Sequence, residues 1–179
     1  NIVAFDMQYL RPVLGDGPQA VDTLPLSALL FPRKRFHNLL KDEKLLTDEL
    51  NNPLSDARKA MALFEEEVAA FNELPGVLQR LFCAMLKNRP EFAGFFRCLN
   101  VQTPTFADPA GVIKRLMADR LCIHADLDGL AKRQPAELAY ALAFIRAAEP
   151  ADVIPPWVNT NYPATQSVLN ALRYTPCKK

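Results

Sequence analysis

Residues 51–71 read NNPLSDARKAMALFEEEVAAF, and this stretch decides the fold class. Apolar side chains recur in it at steps of three and four residues, which is the spacing of one face of an α-helix. They are Ala57, Ala60, Met61, Phe64, Val68 and Phe71. Pro53 suits the first turn, because the amide hydrogen that proline lacks would have no partner there. The stretch therefore predicts a long amphipathic helix that begins near residue 53.

The same pattern continues downstream, where prolines precede further runs of periodic apolar residues. These prolines are Pro75, Pro90, Pro109, Pro135 and Pro163. Asn52 and Asp108 stand ahead of two of the runs as N-cap residues. Residues Leu138–Ile145 are apolar nearly all round, which predicts a central buried helix. We expect six or so packed helices in this part of the chain.

The first quarter of the chain has a different pattern. Ile2–Phe5 predicts a buried strand, and Val21–Leu24 predicts a second short strand that enters a mostly helical Leu26–Leu30. The fold class expected for the whole chain is therefore α+β, mainly helical. The predicted boundary lies near residue 74, with an α/β part at 1–74 and a helical connector at 75–179.

The overall composition excludes some classes of protein. The net charge of the 179 residues is +1, so contact with nucleic acid must come from a local basic patch rather than from a global field. No apolar run approaches the roughly 18 residues of a membrane span, and the features of a signal peptide are absent. We expect no membrane partner.

Four cysteines stand at Cys83, Cys98, Cys122 and Cys177, without a CxxC pair. The first three lie in apolar stretches that look helical, where a reduced thiol behaves as a small apolar group. This context predicts four reduced cysteines and a cytoplasmic location. A small secreted protein with two disulfides is the alternative.

Two aspartates stand where carboxylates often bind a metal ion. Asp6 follows the first predicted strand, and Asp56 lies in the first turn of the long helix. Hard cations such as Mg²⁺ prefer carboxylate oxygens held on rigid elements. The alternatives are that Asp6 is an N-cap and that Asp56 only interacts favourably with the helix dipole.

Three motifs in order, NxxxFD at residues 1–6, VDTLxLS at 21–27 and NNPxxDA at 51–57, resemble the second half of a DnaQ-like (DEDD) 3′–5′ exonuclease. The resemblance covers roughly residues 1–70 and implies a truncated DnaQ/RNase H-like α/β layer. In that family, four carboxylates from three motifs hold two metal ions, Mg²⁺ or Mn²⁺. Asp6 would be the second-motif ligand and Asp56 the third-motif ligand.

Longer phrases resemble bacterial proteins in which such an exonuclease domain precedes a RecQ-like superfamily 2 DNA helicase. They are FPRKRFHNLLKDEKL, LNNPLSDARKA and VIPPWVNTNYPATQSVLNALRYTPC. The resemblance implies a DNA-processing hydrolase, with a role in DNA repair, that couples 3′–5′ exonuclease activity to an ATP-dependent helicase. Its partners would be DNA, as single strands or 3′ ends, and the rest of the parent chain.

The chain departs from the family pattern in two ways. The first motif, a strand carrying Asp-x-Glu, would lie upstream of Asn1, so we expect this fragment alone to be inactive. The usual histidine or tyrosine general base is replaced by Asn51 and Asn52, which cannot accept a proton at neutral pH. His37 is the nearest substitute and is the predicted catalytic residue. A surface or capping role is the alternative.

A basic cluster surrounds this histidine. Arg33, Lys34, Arg35 and Lys41 are predicted to contact DNA phosphates, which supply most of the affinity that does not depend on sequence. The alternative for the cluster is a solvated loop. For the whole chain, the alternative function is a helical adaptor or nucleic-acid-binding module without catalytic activity.

Overall fold

The computed structural model describes residues 2–4, 20–35, 37, 53–101, 108–117, 119–147 and 152–173. These residues form an α+β chain that is mainly helical, as predicted. The strands are β1 (Ile2–Ala4) and β2 (Ala20–Asp22). The helices are α1 (Thr23–Leu30), α2 (Pro53–Asn72), α3 (Gly76–Leu86), α4 (Pro90–Cys98), α5 (Pro109–Met117), α6 (Leu127–Arg133), α7 (Pro135–Ala147), α8 (Pro156–Asn161) and α9 (Thr165–Arg173). None of the helices described is both long enough and apolar enough to cross a bilayer.

The two strands pair in parallel, with Ala4 opposite Asp22. Asp22 ends β2 and also caps α1, since its carboxylate accepts a hydrogen bond from the Leu24 amide at 3.2 Å. The Thr23 hydroxyl donates to the Ala4 carbonyl at 3.3 Å. Both predicted strands are confirmed, although α1 begins at Thr23 because the Asp22 cap allows the helix to start directly after β2.

Helix α2 is the predicted long amphipathic helix, and it packs against both β1 and α1. Phe64 and Phe71 are buried and meet the Phe95 ring of α4 edge to face, with ring centroids 6.2 and 5.4 Å apart. Met61 is 46% exposed. The buried face is therefore narrower than the apolar stripe in the sequence.

Helix α7 lies at the centre of the helical part, as predicted. Ala136 and every residue from Leu138 to Ile145 are buried. Its neighbours are α1, α3, α6 and α9. The Tyr140 hydroxyl donates to the Pro25 carbonyl of α1 at 2.9 Å, so the central helix is bonded directly to the strand-bearing part of the chain.

Helix α4 lies against the backbone of β2. A methyl group built on Gly94 would come within 1.9 Å of the Ala20 carbonyl oxygen, so only glycine allows this approach. One continuous set of buried side chains includes Val21 and Leu26 as well as Leu138 and Leu142. The core therefore runs across residue 74, and the division into two domains stays a prediction.

The prolines mark helix starts as expected, and Asp108 is confirmed as a cap because its carboxylate accepts from the Gly111 amide at 2.7 Å. Asn52 lies outside the described residues. Helices α6 and α8 were not predicted. They have seven and six residues, which is too short for an apolar period to be visible in the sequence.

The prediction of four reduced cysteines is wrong for Cys122, which is disulfide-bonded. Cys83 and Cys98 form no disulfide, and Cys177 lies outside the described residues. The sequence RLCIH looked helical, but α5 ends at Met117. Cys122 instead follows a turn, and its amide donates to the Leu172 carbonyl of α9 at 2.8 Å. The apolar context reflected burial beside α9 rather than a helix interior.

Replacing Gly94 with alanine should destabilise the protein by about 2–3 kcal/mol, because the new methyl group meets a backbone carbonyl that cannot move independently of β2. Urea unfolding of the two proteins measures the difference. Gly76→Ala is the matched control, since a methyl group there has only Arg80 Nη1 at 3.5 Å. Equal loss of stability in both variants would contradict the close approach of α4 to β2.

Thiol titration tests the disulfide at Cys122. Under denaturing, non-reducing conditions we expect two reactive thiols per chain, because Cys83 and Cys98 form no disulfide. After reduction, the count should rise to four. Four reactive thiols before reduction would restore the original prediction.

Candidate functional site

Of the two predicted metal ligands, Asp56 is the one that lies within the described residues. It lies in the first turn of α2 and is half-buried. Its Oδ1 atom is buried and has no hydrogen-bond partner among the described residues. Asp6 lies outside the described residues, so the convergence of the two carboxylates stays a prediction. Within the described ranges, no group of three or more His, Cys, Asp or Glu side chains is placed to hold a metal ion.

A second set of polar groups is buried on α1, on α2 and in the stretch after α1. It consists of Thr23, Ser27, His37 and Glu67, all buried, and we call it the buried polar cluster. Asp22 stands beside it as the cap of α1. Burying polar groups is unfavourable unless they are hydrogen-bonded. The members of the cluster therefore need hydrogen bonds, and its ionisable side chains are favoured in their neutral forms.

His37, the predicted catalytic residue, is 6% exposed. Its Nδ1 atom lies 2.9 Å from the Ser27 hydroxyl, while Nε2 has no partner among the residues described. Burial, helped by the nearby charge of Lys34, lowers the pKa of His37 to about 4. A general base works best with a pKa near the working pH. In the described residues the clearest contact of His37 is with Ser27, and its catalytic role stays a prediction.

Glu67 is fully buried, and neither carboxylate oxygen has a hydrogen-bond partner in the described part of the chain. The pKa of Glu67 is raised to about 9, mainly by burial and also by the charges of Asp22 and Glu66, while the charge of Lys34 opposes them. The carboxyl group is therefore protonated and neutral at pH 7. A neutral acid is much less costly to bury than a carboxylate.

The sequence contained a signal for Glu67 that was overlooked. It is the third of three consecutive glutamates, and it stands three residues after Phe64 and four before Phe71. This spacing places it on the apolar face of α2. Glu65 and Glu66, by contrast, are exposed.

Asp56 and Glu67 lie on the same inner face of α2, but they are too far apart to form one site. They are eleven residues apart, which corresponds to three turns and therefore to nearly the same direction around the helix axis. At 1.5 Å per residue, their positions on the helix are about 16 Å apart. One metal ion cannot bind both carboxylates.

The predicted phosphate contacts at 33–35 lie on an exposed turn after α1. Arg33 Nε is 3.2 Å from Asp152 Oδ2, and the Lys34 ammonium lies 4.4 Å from the centre of the Phe31 ring. Arg35 is exposed, and Lys41 lies outside the described residues. An exposed ion pair contributes about 1 kcal/mol or less, so DNA phosphate could replace Asp152 at Arg33. Contact with nucleic acid stays a prediction.

A scan against protein-family models, a search of curated proteins and a search of solved structures found no match to this chain. The likeness to DnaQ-like exonucleases therefore rests on the order and spacing of the motifs in the sequence.

The buried polar cluster makes stability depend on pH. Glu67 keeps its proton up to about pH 9 in the folded state but loses it above about pH 4.5 in the unfolded chain, so stability falls as pH rises between these values. His37 has the opposite effect between about pH 4 and 6.5, because there the unfolded chain binds more protons. The two effects oppose each other below pH 6.5, and only Glu67 acts from pH 6.5 to 9.

Above pH 6.5 the free energy of unfolding of the wild type should fall by up to about 1.4 kcal/mol per pH unit. Glu67→Gln should abolish this dependence on pH, because glutamine does not titrate. Urea unfolding at several pH values from 6.5 to 9 measures this slope. Glu65→Gln, an exposed change on the same helix, should retain the wild-type slope. If Glu67→Gln also retains it, Glu67 is ionised in the folded protein and the description of the cluster is wrong.

Proposed function

We propose that this chain is part of a DnaQ-like, metal-dependent 3′–5′ exonuclease, within a protein that also carries an ATP-dependent DNA helicase. The observation that carries the proposal is the position of Asp56. Its Oδ1 atom is buried without a partner among the described residues. Its helix packs against β1, the strand that leads in sequence to Asp6.

The parallel strands also support the proposal. In β2 and α1, the motif VDTLPLS forms a strand end, a cap and a helix in seven residues. Parallel strands need a crossover between them, and their carboxyl ends lie at the same edge. This arrangement fits a truncated DnaQ/RNase H-like layer, in which metal-binding carboxylates follow the strands.

In the proposed site, Asp6 and Asp56 would hold Mg²⁺ or Mn²⁺. The unpartnered oxygen of Asp56 fits this role, since a hard cation prefers carboxylate oxygen. When bound by the complete set of ligands, two such ions activate water and stabilise the leaving oxygen of the 3′ nucleotide. Two aspartates leave most of the coordination to water, so we propose that the fragment alone is inactive.

We propose DNA, as single strands or 3′ ends, as the substrate, with Arg33, Lys34, Arg35 and Lys41 contacting its phosphates. His37 lies in the same stretch and remains the candidate general base of the complete domain. A DNA substrate favours the cytoplasm of a bacterium. The disulfide of Cys122 is the observation against that location, because reducing compartments keep thiols reduced.

The second candidate is a helical adaptor or nucleic-acid-binding module without catalytic activity. The observation in its favour is that the described core is built mainly around α7, with only two strands of three residues. In this function the aspartates would be a cap and a favourable charge at a helix N-terminus.

A nuclease assay separates the two functions. The whole protein encoded by the reading frame, and this chain alone, are each incubated with a labelled single strand and Mg²⁺ or Mn²⁺. We expect metal-dependent shortening from the 3′ end by the whole protein only. Asp56→Asn should reduce its rate by a factor of 100 or more, because losing a carboxylate weakens the binding of both ions.

Glu65→Gln is the matched control, since it removes an exposed carboxylate from the same helix and should leave the rate unchanged. Activity of the short chain that Asp56→Asn abolishes would show that the chain contains a complete site. Absence of activity in the whole protein would favour the adaptor.

A further inference from the structure

A cavity of about 360 Å³ lies between the C-terminal end of α3 and one face of α4. It is separate from both the Asp56 region and the buried polar cluster, since none of their residues lines it. Its volume lies at the lower end of the range for small-molecule sites, which is about 300–1,000 Å³. A small ligand or one unit of a polymer would fit.

The lining of the cavity has an apolar part and a cationic part. Cys83 and Phe96 are buried and Val101 is half-buried, and they supply apolar surface. Lys87 and Arg97 are exposed and contribute positive charge. The described lining residues include no aspartate or glutamate.

Neither cation is neutralised within the described part of the chain, where the salt bridges formed are Arg33 to Asp152 and Arg133 to Asp126. Arg97 uses Nε to donate to the Ala93 carbonyl of its own helix at 3.2 Å. This bond fixes the direction of the side chain and leaves the terminal nitrogens of the guanidinium group to bind an anion. Lys87 and Arg97 also stabilise α3 and α4, because positive charge is favourable at a helix C-terminus. That role does not account for a cavity beside the two side chains.

The walls of the cavity are held by the core. Phe96 packs edge to face on Phe71, with ring centroids 5.8 Å apart. Asn100 follows α4 with φ of 48°, a left-handed conformation that asparagine adopts more readily than most residues. It turns the chain so that Val101 lines the cavity, and the Val101 amide donates to the Phe96 carbonyl at 3.4 Å. The site is therefore formed before any ligand binds.

We propose that this cavity binds a phosphate monoester with a small organic group. A phosphate monoester carries close to two negative charges at neutral pH, which matches the two cations Lys87 and Arg97. The guanidinium group of Arg97 has the planar geometry that suits phosphate oxygens. The organic group would contact the apolar wall of Phe96, Cys83 and Val101. The proposal does not depend on nuclease activity.

Isothermal titration calorimetry with thymidine 5′-monophosphate tests the proposal. We expect saturable binding with one site per chain. Thymidine and inorganic phosphate should each bind at least tenfold more weakly, because each lacks one half of the ligand. The phosphate monoester could belong to a DNA end or to a free nucleotide, and an oligothymidine with a 5′-phosphate distinguishes the two. Tighter binding of the oligonucleotide would identify a DNA end. Tighter binding of the monophosphate would identify a free nucleotide.

Arg97→Gln and Lys87→Met should each weaken binding of the monophosphate roughly tenfold, which is the usual effect of losing one hydrogen bond to a charged group. Both side chains are exposed, so the melting temperature should fall only slightly, through loss of a favourable charge at a helix C-terminus. Arg115→Gln, an exposed change on α5 outside the cavity, is the control and should bind normally. No saturable binding at millimolar concentration, or binding that both cavity variants retain, would overturn the proposal.

Discussion

The burial of α7 from Leu138 to Ile145 is the constraint on which the rest of the structure depends. A helix that is apolar on every side must be covered on every side, because any exposed face would leave apolar surface in water. Helices α1, α3, α6 and α9 supply that cover. Tyr140 is the polar residue within this buried run, and its hydroxyl donates to the Pro25 carbonyl. The composition of this one segment therefore requires other helices to pack around it.

The strand-bearing part of the chain is built into the same core. Helix α1 contacts α7 on one side and α2 on another, while Gly94 lets α4 approach the backbone of β2. The polar side chains Thr23 and Ser27 of α1 and Glu67 of α2 are buried in this core. The polar groups that the sequence places there must be neutral or bonded, which accounts for the Ser27–His37 contact and for the protonated Glu67.

Most of the helical architecture could be predicted because its signals are local. Prolines at helix starts and the aspartate cap at Asp108 depend on neighbouring residues only. The sequence-based predictions failed where the environment of a residue is set by residues that are distant in sequence. The environment of Cys122 depends on α9, fifty residues further on. The state of Glu67 depends on its burial and on the charge of Asp22, which is distant in sequence. Neither dependence is visible as a periodic pattern.

The candidate site was predictable only in part, for the same reason. The spacing of the motifs singled out Asp56. The sequence did not indicate, however, whether the His37 side chain is exposed or buried. Burial decides what each can do. A histidine with a pKa of about 4 holds a proton weakly, and its bond to Ser27 fixes the chain after α1 against that helix.

The two carboxylates on the inner face of α2 have opposite chemistry although they point in nearly the same direction. Glu67 lies deep in the core, where burial favours the protonated, neutral carboxyl group. A metal ion would have to displace that proton and lose its water in a space closed to solvent, which Mg²⁺ does reluctantly. Asp56 is half-buried at the N-terminal end of α2, and so an ion there can keep water ligands while the carboxylate supplies one oxygen. Asp56 is therefore the better placed of the two carboxylates for the proposed metal ion, while the contact of His37 with Ser27 holds residue 37 against α1.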